Sequence, residues 1–322
     1  MSSLPAQLVT GIHHVTALAD DAQKNVDFYT GILGLRMVKK TINFDAPDVY
    51  HLYYGNETGA PGTIMTFFPY SGLIKGRHGK GQMTTTSFSA PASSLDYWLK
   101  RLDKFNIKHT APQTRFENEQ FIYMEDVHGL GLELVFNETD TRLGFSYGQI
   151  PIEHSVKGFY GVELSEEGYE RTASLLLEIM DHQLVTEKGT RFRYSASNKP
   201  GDFVDVFCTP ESMRGLSGSG TIHHLAFATH DEDTQLQARE KLLTKGFDVT
   251  PVIDRQYFHS IYFREPGGVL FEIATLPPGF AVDEEPSHLG EALKLPSWVE
   301  PSRQTIESEL VPVKIQTDKF MD

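Results

Sequence analysis

Apolar positions along the chain recur in two ways, alternating through short runs and returning every three to four residues in a few longer ones. The segment Gly11-Ile12-His13-His14-Val15-Thr16-Ala17-Leu18 predicts a strand. Asp20 and Asp21 then offer an N-cap for a helix over about 22–33. Val26, Phe28, Tyr29 and Leu33 give that helix an apolar side, and Gly34 ends it. Strand-like runs follow over 36–43, 50–55 and 63–68.

The same order returns near the end of the chain. Gly220-Thr221-Ile222-His223-His224-Leu225-Ala226-Phe227 predicts the strand, and Asp231 and Asp233 stand where the first copy has its aspartate pair. A helix over 234–244 closes at Gly246, and strands follow over 249–254, 260–264 and 269–274, the last two joined by the turn Glu265-Pro266-Gly267-Gly268. Two more diverged copies lie between. One has a strand over 83–89, a helix over 94–105 and strands over 120–125 and 131–136. The other has a strand over 158–164, a helix over 167–180 and strands over 191–195 and 203–208.

These copies predict an α+β protein of four βαβββ modules, over residues 8–75, 80–140, 155–212 and 218–280, forming two domains. Each domain is expected to be a curved mixed sheet with helices outside. Residues 281–322 break the pattern and are expected to pack on the body as a C-terminal extension, with Leu293, Leu295 and Trp298 as anchors.

Composition narrows the chemistry. A formal net charge of −14 argues against nucleic acid and anionic membranes as main partners. Cys208 is the only cysteine, so an intramolecular disulfide is excluded and a metal must be held by His, Asp or Glu. Residues 1–10 show no basic run leading into an apolar stretch, and no segment approaches the roughly 20 apolar residues of a membrane span. The expectation is a cytoplasmic protein acting on a small molecule, with a homo-oligomer left open.

First strands carry His13 and His14 in module one and His223 and His224 in module four, and no His in modules two and three. Last strands carry no acid in module one, Glu133 in module two, Asp205 in module three and Glu272 in module four. Only a pairing of modules one and four, leaving two with three, completes a two-His-one-carboxylate set. That set leaves metal positions open and suits non-haem Fe(II) oxygenases. Neighbours on a strand point to opposite faces, so one His of each pair faces the cavity, and the pattern does not say which. Glu272 lies in an apolar strand and needs a partner, either a metal or an arginine such as Arg255 or Arg264. Glu133 is expected in a salt bridge. The remaining histidines, His51 among them, are expected to be satisfied core or surface groups.

Three stretches carry a family resemblance: Ile12-His13-His14-Val15-Thr16, the first-helix run Asp21-Ala22-Gln23-Lys24-Asn25-Val26-Asp27-Phe28-Tyr29-Thr30-Gly31-Ile32-Leu33-Gly34-Leu35, and residues 260–274 with Glu265-Pro266-Gly267-Gly268 and Glu272. They resemble the vicinal-oxygen-chelate superfamily of glyoxalases and extradiol dioxygenases, over about residues 10–280. The tail fits the branch of hydroquinone 1,2-dioxygenases and bacterial ring-cleaving proteins of quinone resistance. The resemblance implies His14, His224 and Glu272 as ligands of Fe(II), or of Mn(II), which accepts the same set. It implies His13, Thr16, His223, Arg255 and Tyr262 around the metal or against the substrate. It also implies an aromatic substrate and dioxygen. A glyoxalase-type isomerase or transferase is the rival, but commonly adds a fourth protein ligand, and the module-one strand Thr63-Ile64-Met65-Thr66-Phe67-Phe68 offers no acid. A protein that only sequesters aromatics is the other rival, and such proteins usually lose the ligands.

Overall fold

A computed structural model describes residues 7–145 and 149–321. Residues 1–6 of the start, 146–148 of the connector between the halves, and Asp322 lie outside the described residues. The first module runs β1 (Gly11–Ala19), α1 (Ala22–Val26), β2 (Arg36–Asn43), β3 (Ala46–Gly55) and β4 (Ile64–Pro69). The second runs β5 (Gln82–Pro91), α2 (Leu95–Lys104), β6 (Gln113–Arg115), β7 (Glu119–Glu125) and β8 (Gly131–Asn137). The third runs β9 (Gly158–Glu166), α3 (Glu170–Glu178), β10 (Gln183–Lys188), β11 (Arg191–Ser195) and β12 (Phe203–Cys208). The fourth runs β13 (Ile222–Thr229), α4 (Glu232–Thr244), β14 (Ile253–Asp254), β15 (Phe258–Arg264) and β16 (Leu270–Pro278).

Modules one and four share one eight-stranded sheet, ordered β14-β15-β16-β13-β1-β4-β3-β2. Modules two and three share the other, ordered β10-β11-β12-β9-β5-β8-β7-β6. In each sheet the two first strands pair antiparallel at the centre, and each is flanked by the parallel last strand of its own module. Val15 opposes Leu225 at the centre of the first sheet, so an approximate two-fold axis there relates His14 to His224. No helix among the described residues is long and apolar enough to cross a membrane.

The first helix departs from its expected form. Asp21 caps it, its carboxylate accepting from the Lys24 amide at 2.9 Å. Asp20 instead reaches His128 of module two at 2.8 Å. After Val26 the backbone widens into a π-helical segment over Asp27–Ile32, with the Leu33 amide donating to the Phe28 carbonyl at 3.0 Å. The Thr30 hydroxyl donates back to the Val26 carbonyl. Buried Arg101 of α2 takes the carbonyls of Gly31 and Ile32 at 2.8 and 3.0 Å.

The C-terminal extension seals the first sheet. Phe280 and Leu289 are buried in a cluster with Val38, Tyr53 and Tyr257. Asp283 and Glu284 both meet the ammonium of fully buried Lys39 at 2.5 Å, which explains the acidic run as a neutralising cap. α5 (Arg303–Glu309) adds Ile306, with Leu310 behind it. Of the expected anchors, Leu295 is buried and Leu293 packs on the core, but Trp298 is 55% exposed, its ring edge-on to Phe44. Leu289, Leu295, Ile306 and Leu310 are the buried apolar residues of the extension instead.

Candidate metal centre

The central strand pair places two imidazoles on one face. In β1 and β13, His14 opposes Ala226 and His224 opposes Thr16, so the two histidines lie diagonally across the pair. β16 runs parallel beside β13, with Glu272 opposite Ala226. The result is a buried convergence of His14, His224 and Glu272. Their Nε2 atoms lie 3.2 Å apart, and 3.3 and 3.0 Å from Glu272 Oε2. Among the described residues no arginine is paired with Glu272, so the alternative partners Arg255 and Arg264 do not hold it. Its other oxygen accepts from the Ser260 hydroxyl.

Hydrogen bonds settle which atoms point inward. His14 and His13 are joined Nδ1 to Nδ1 at 2.9 Å, and His224 and His223 are joined in the same way at 2.8 Å. His13 also bonds the Thr275 backbone, which makes its Nδ1 the acceptor and His14 the donor. That leaves a lone pair on His14 Nε2, aimed at Glu272. Burial, with His14 close by, pushes His13 down to about 3, so it stays neutral as an acceptor must. His223 opens onto the cavity, and its pKa is also lowered, by desolvation and by His224. Burial alone would raise the Glu272 carboxyl, but His14 and His224 hold it well below the usual range.

Two imidazole nitrogens and a carboxylate oxygen, all buried, converge within 3.3 Å of one another. Glu272 Oε2 has no well-directed hydrogen-bond donor. A cation satisfies all three at once, so the donor set fits a divalent metal.

The site opens into a cavity of about 360 Å³. Phe44, Phe68 and Phe258 form aromatic walls, and Tyr262 and Arg255 form a polar one. Tyr262 lies opposite Glu272 in the β15–β16 register, and Arg255 Nε donates to its hydroxyl at 3.2 Å. Thr16 is fully buried and does not line the cavity. Its hydroxyl meets that of Thr66 at 2.8 Å.

His51 is the satisfied group expected, with both ring nitrogens hydrogen-bonded, and it also lines the cavity. One ring nitrogen meets the Thr66 hydroxyl at 2.9 Å and the other the Tyr53 hydroxyl at 2.8 Å. Burial, then His14, His224 and Arg255, keep it neutral, well below the usual histidine pKa. A signal was available. Tyr53 opposes Thr66 as Tyr262 opposes Glu272, so His51-Leu52-Tyr53 repeats Ser260-Ile261-Tyr262. Under that repeat Thr66 occupies the place of Glu272, and His51 holds Thr66 as Ser260 holds Glu272.

Known proteins agree with this architecture. Residues 11–134 and 161–273 match the profile of the Glyoxalase/Bleomycin resistance protein/Dioxygenase superfamily. A Bacillus subtilis (strain 168) protein with the provisional name ring-cleaving dioxygenase MhqO is 45% identical, over 97% of this chain and 99% of its own. The chlorohydroquinone/hydroquinone 1,2-dioxygenase of Sphingobium indicum is 34% identical over 97% of each. A crystal structure of a provisionally named dioxygenase from Bacillus subtilis superposes with a TM-score of 0.92 at 45% identity, over 97% of this chain and 99% of the other. Glyoxalase I from Zea mays shares the fold at 13% identity, with a TM-score of 0.61 over 83% of this chain and 92% of the other.

Proposed function

This chain belongs to the Glyoxalase/Bleomycin resistance protein/Dioxygenase superfamily, and from that premise we propose that it is a ring-cleaving dioxygenase of hydroquinone-type aromatics, dependent on Fe(II) or, in its place, Mn(II). The observation that carries the reading is the buried meeting of His14, His224 and Glu272 at the floor of an aromatic-walled cavity. Bound there, such a metal supplies Lewis acidity toward a ring hydroxyl and redox access to dioxygen.

The chain's own groups do the rest. His13 and His223 hold the tautomers that turn His14 Nε2 and His224 Nε2 inward. Phe68 and Phe258 offer faces to an aromatic ring and exclude water. Tyr262, held by Arg255 Nε, is a hydrogen-bond donor for negative charge building on oxygen. His51 orients the Thr66 and Tyr53 hydroxyls. Thr66 supports an oxygenase over a glyoxalase-type isomerase, because a hydroxyl stands where a fourth carboxylate ligand would be.

The test is oxygen uptake. Protein prepared without oxygen and reconstituted with Fe(II) is expected to consume dioxygen in step with opening of methylhydroquinone or a chlorohydroquinone. His14→Ala and Glu272→Ala are expected to lose about a thousandfold or more. Full turnover in either variant contradicts the proposal.

A further inference from the structure

The cavity's polar wall continues past the metal-facing floor to its mouth. Arg255 donates from Nε to Tyr262 and from Nη1 to Asp45 Oδ2 at 3.1 Å. Asp45 sits in the turn between β2 and β3 of module one, and Arg255 in module four, so this ion pair bridges the modules at the cavity. Arg255 Nη2 and Asp45 Oδ1 have no hydrogen-bond partner among the described residues. The Asp45 side chain is 75% exposed, and an ion pair so exposed adds little to stability. The pair therefore needs an explanation other than holding the fold together.

A guanidinium N–H beside a carboxylate oxygen offers one donor and one acceptor. A phenolic hydroxyl is both acceptor and donor and complements the two together, whereas an aryl ether has no proton to give the carboxylate. We propose that Arg255 and Asp45 form the subsite for a second ring hydroxyl, at the end of the substrate remote from the metal. Asp45 is then a specificity-determining residue. Tyr262 packs beside His224 with ring centroids 5.8 Å apart and accepts from Arg255, so a ring lying along this wall turns one hydroxyl toward the metal-facing floor and the other toward the pair. The inference rests on the ring-cleaving reading of hydroquinone-type substrates and adds the residue that selects the second hydroxyl.

The experiment uses the full chain loaded with Zn(II), which is redox-inert, so binding is read without turnover. Hydroquinone and 4-methoxyphenol are titrated calorimetrically into wild type, Asp45→Ala and Asp45→Glu, alongside a Zn(II) titration of each. Wild type is expected to prefer hydroquinone about tenfold. Asp45→Ala narrows that preference to within about twofold with Zn(II) affinity unchanged, and Asp45→Glu restores most of it. A preference that Asp45→Ala leaves intact overturns the subsite alone. So does a loss of both ligands in equal measure, which makes Asp45 only a support for Arg255. Wild type that binds Zn(II) but neither ring overturns the ring-cleaving reading together with the subsite.

Discussion

The two sheets of this molecule are built on one plan and end in opposite chemistry. In the first, Val15 opposes Leu225 at the centre. In the second, Thr86 opposes Val162. Counting outward from those centres, Thr85 and Gly161 stand where the first sheet has His14 and His224. Glu133 and Asp205 stand where it has Thr66 and Glu272. The second sheet thus keeps two buried acids and has no imidazole at either position. A side chain at Gly161 would meet the Phe203 carbonyl at 2.6 Å from its Cβ.

Arginines answer those acids instead. Arg115 meets Glu133 at 2.8 Å, and Arg193 meets Asp205 at 2.6 Å and also pairs with Glu119. Arg191 bridges Asp205 and Glu163 at 3.1 and 2.5 Å. The Tyr160 hydroxyl adds a bond to Glu119. A shared scaffold therefore creates a buried polar focus twice. Where the chain supplies its own cations the focus is complete. Where it supplies two imidazoles and a carboxylate, the set fits a cation from outside.

The largest effect that sharpens this contrast is on stability. Arg193→Ala leaves Asp205 and Glu119 buried and under-paired and is expected to cost about 3–5 kcal/mol in urea unfolding. Metal stoichiometry should not change, and a lost metal site would break the separation drawn here. Acid tests the same network. Burial alone would raise the Glu119 carboxyl, but Arg193 and Arg115 hold it down to about 2 from an ordinary 4.5. A carboxyl lowered on folding stabilises the fold at neutral pH and gives that up as pH falls from about 4.5 toward 2. About 3 kcal/mol should disappear across that window in wild type. Arg193→Ala should flatten the slope, and an unchanged slope would remove Glu119 from the account.

On the first sheet, His13→Ala and His223→Ala remove the groups that fix the inward nitrogens. Each is expected to weaken metal binding by about 10–100-fold, read by competition with a chelator. Unchanged affinity would leave both as packing residues. The smallest expected change comes from Thr66→Glu, which places a carboxylate at the counterpart of Glu272. Metal binding should tighten by about tenfold while oxygen uptake falls. Tighter binding with full turnover would mean that the open position is elsewhere.

The sequence showed the plan better than the contacts. The repeated Gly-x-x-His-His opening and the distribution of acids over last strands led to the pairing of modules one and four, because each is a local pattern. His51 is satisfied as expected, but its place on the cavity wall depends on Thr66 of the neighbouring strand, which no local pattern contains. β10 escaped because Gln183–Lys188 is a largely exposed edge strand with no alternation to read. The π-helical segment ends on carbonyls held by Arg101 of module two, a contact that no local reading of residues 22–33 contains. The neighbouring histidines were ambiguous until hydrogen bonds assigned the second of each pair inward.

The most direct test of the central claim is a count of metal per chain. Anaerobic titration with Fe(II), checked by elemental analysis after desalting, is expected to give one ion in wild type and in Glu133→Gln, and none in Glu272→Ala. One ion retained in Glu272→Ala, or lost in Glu133→Gln, would contradict the assignment of the metal to the first sheet.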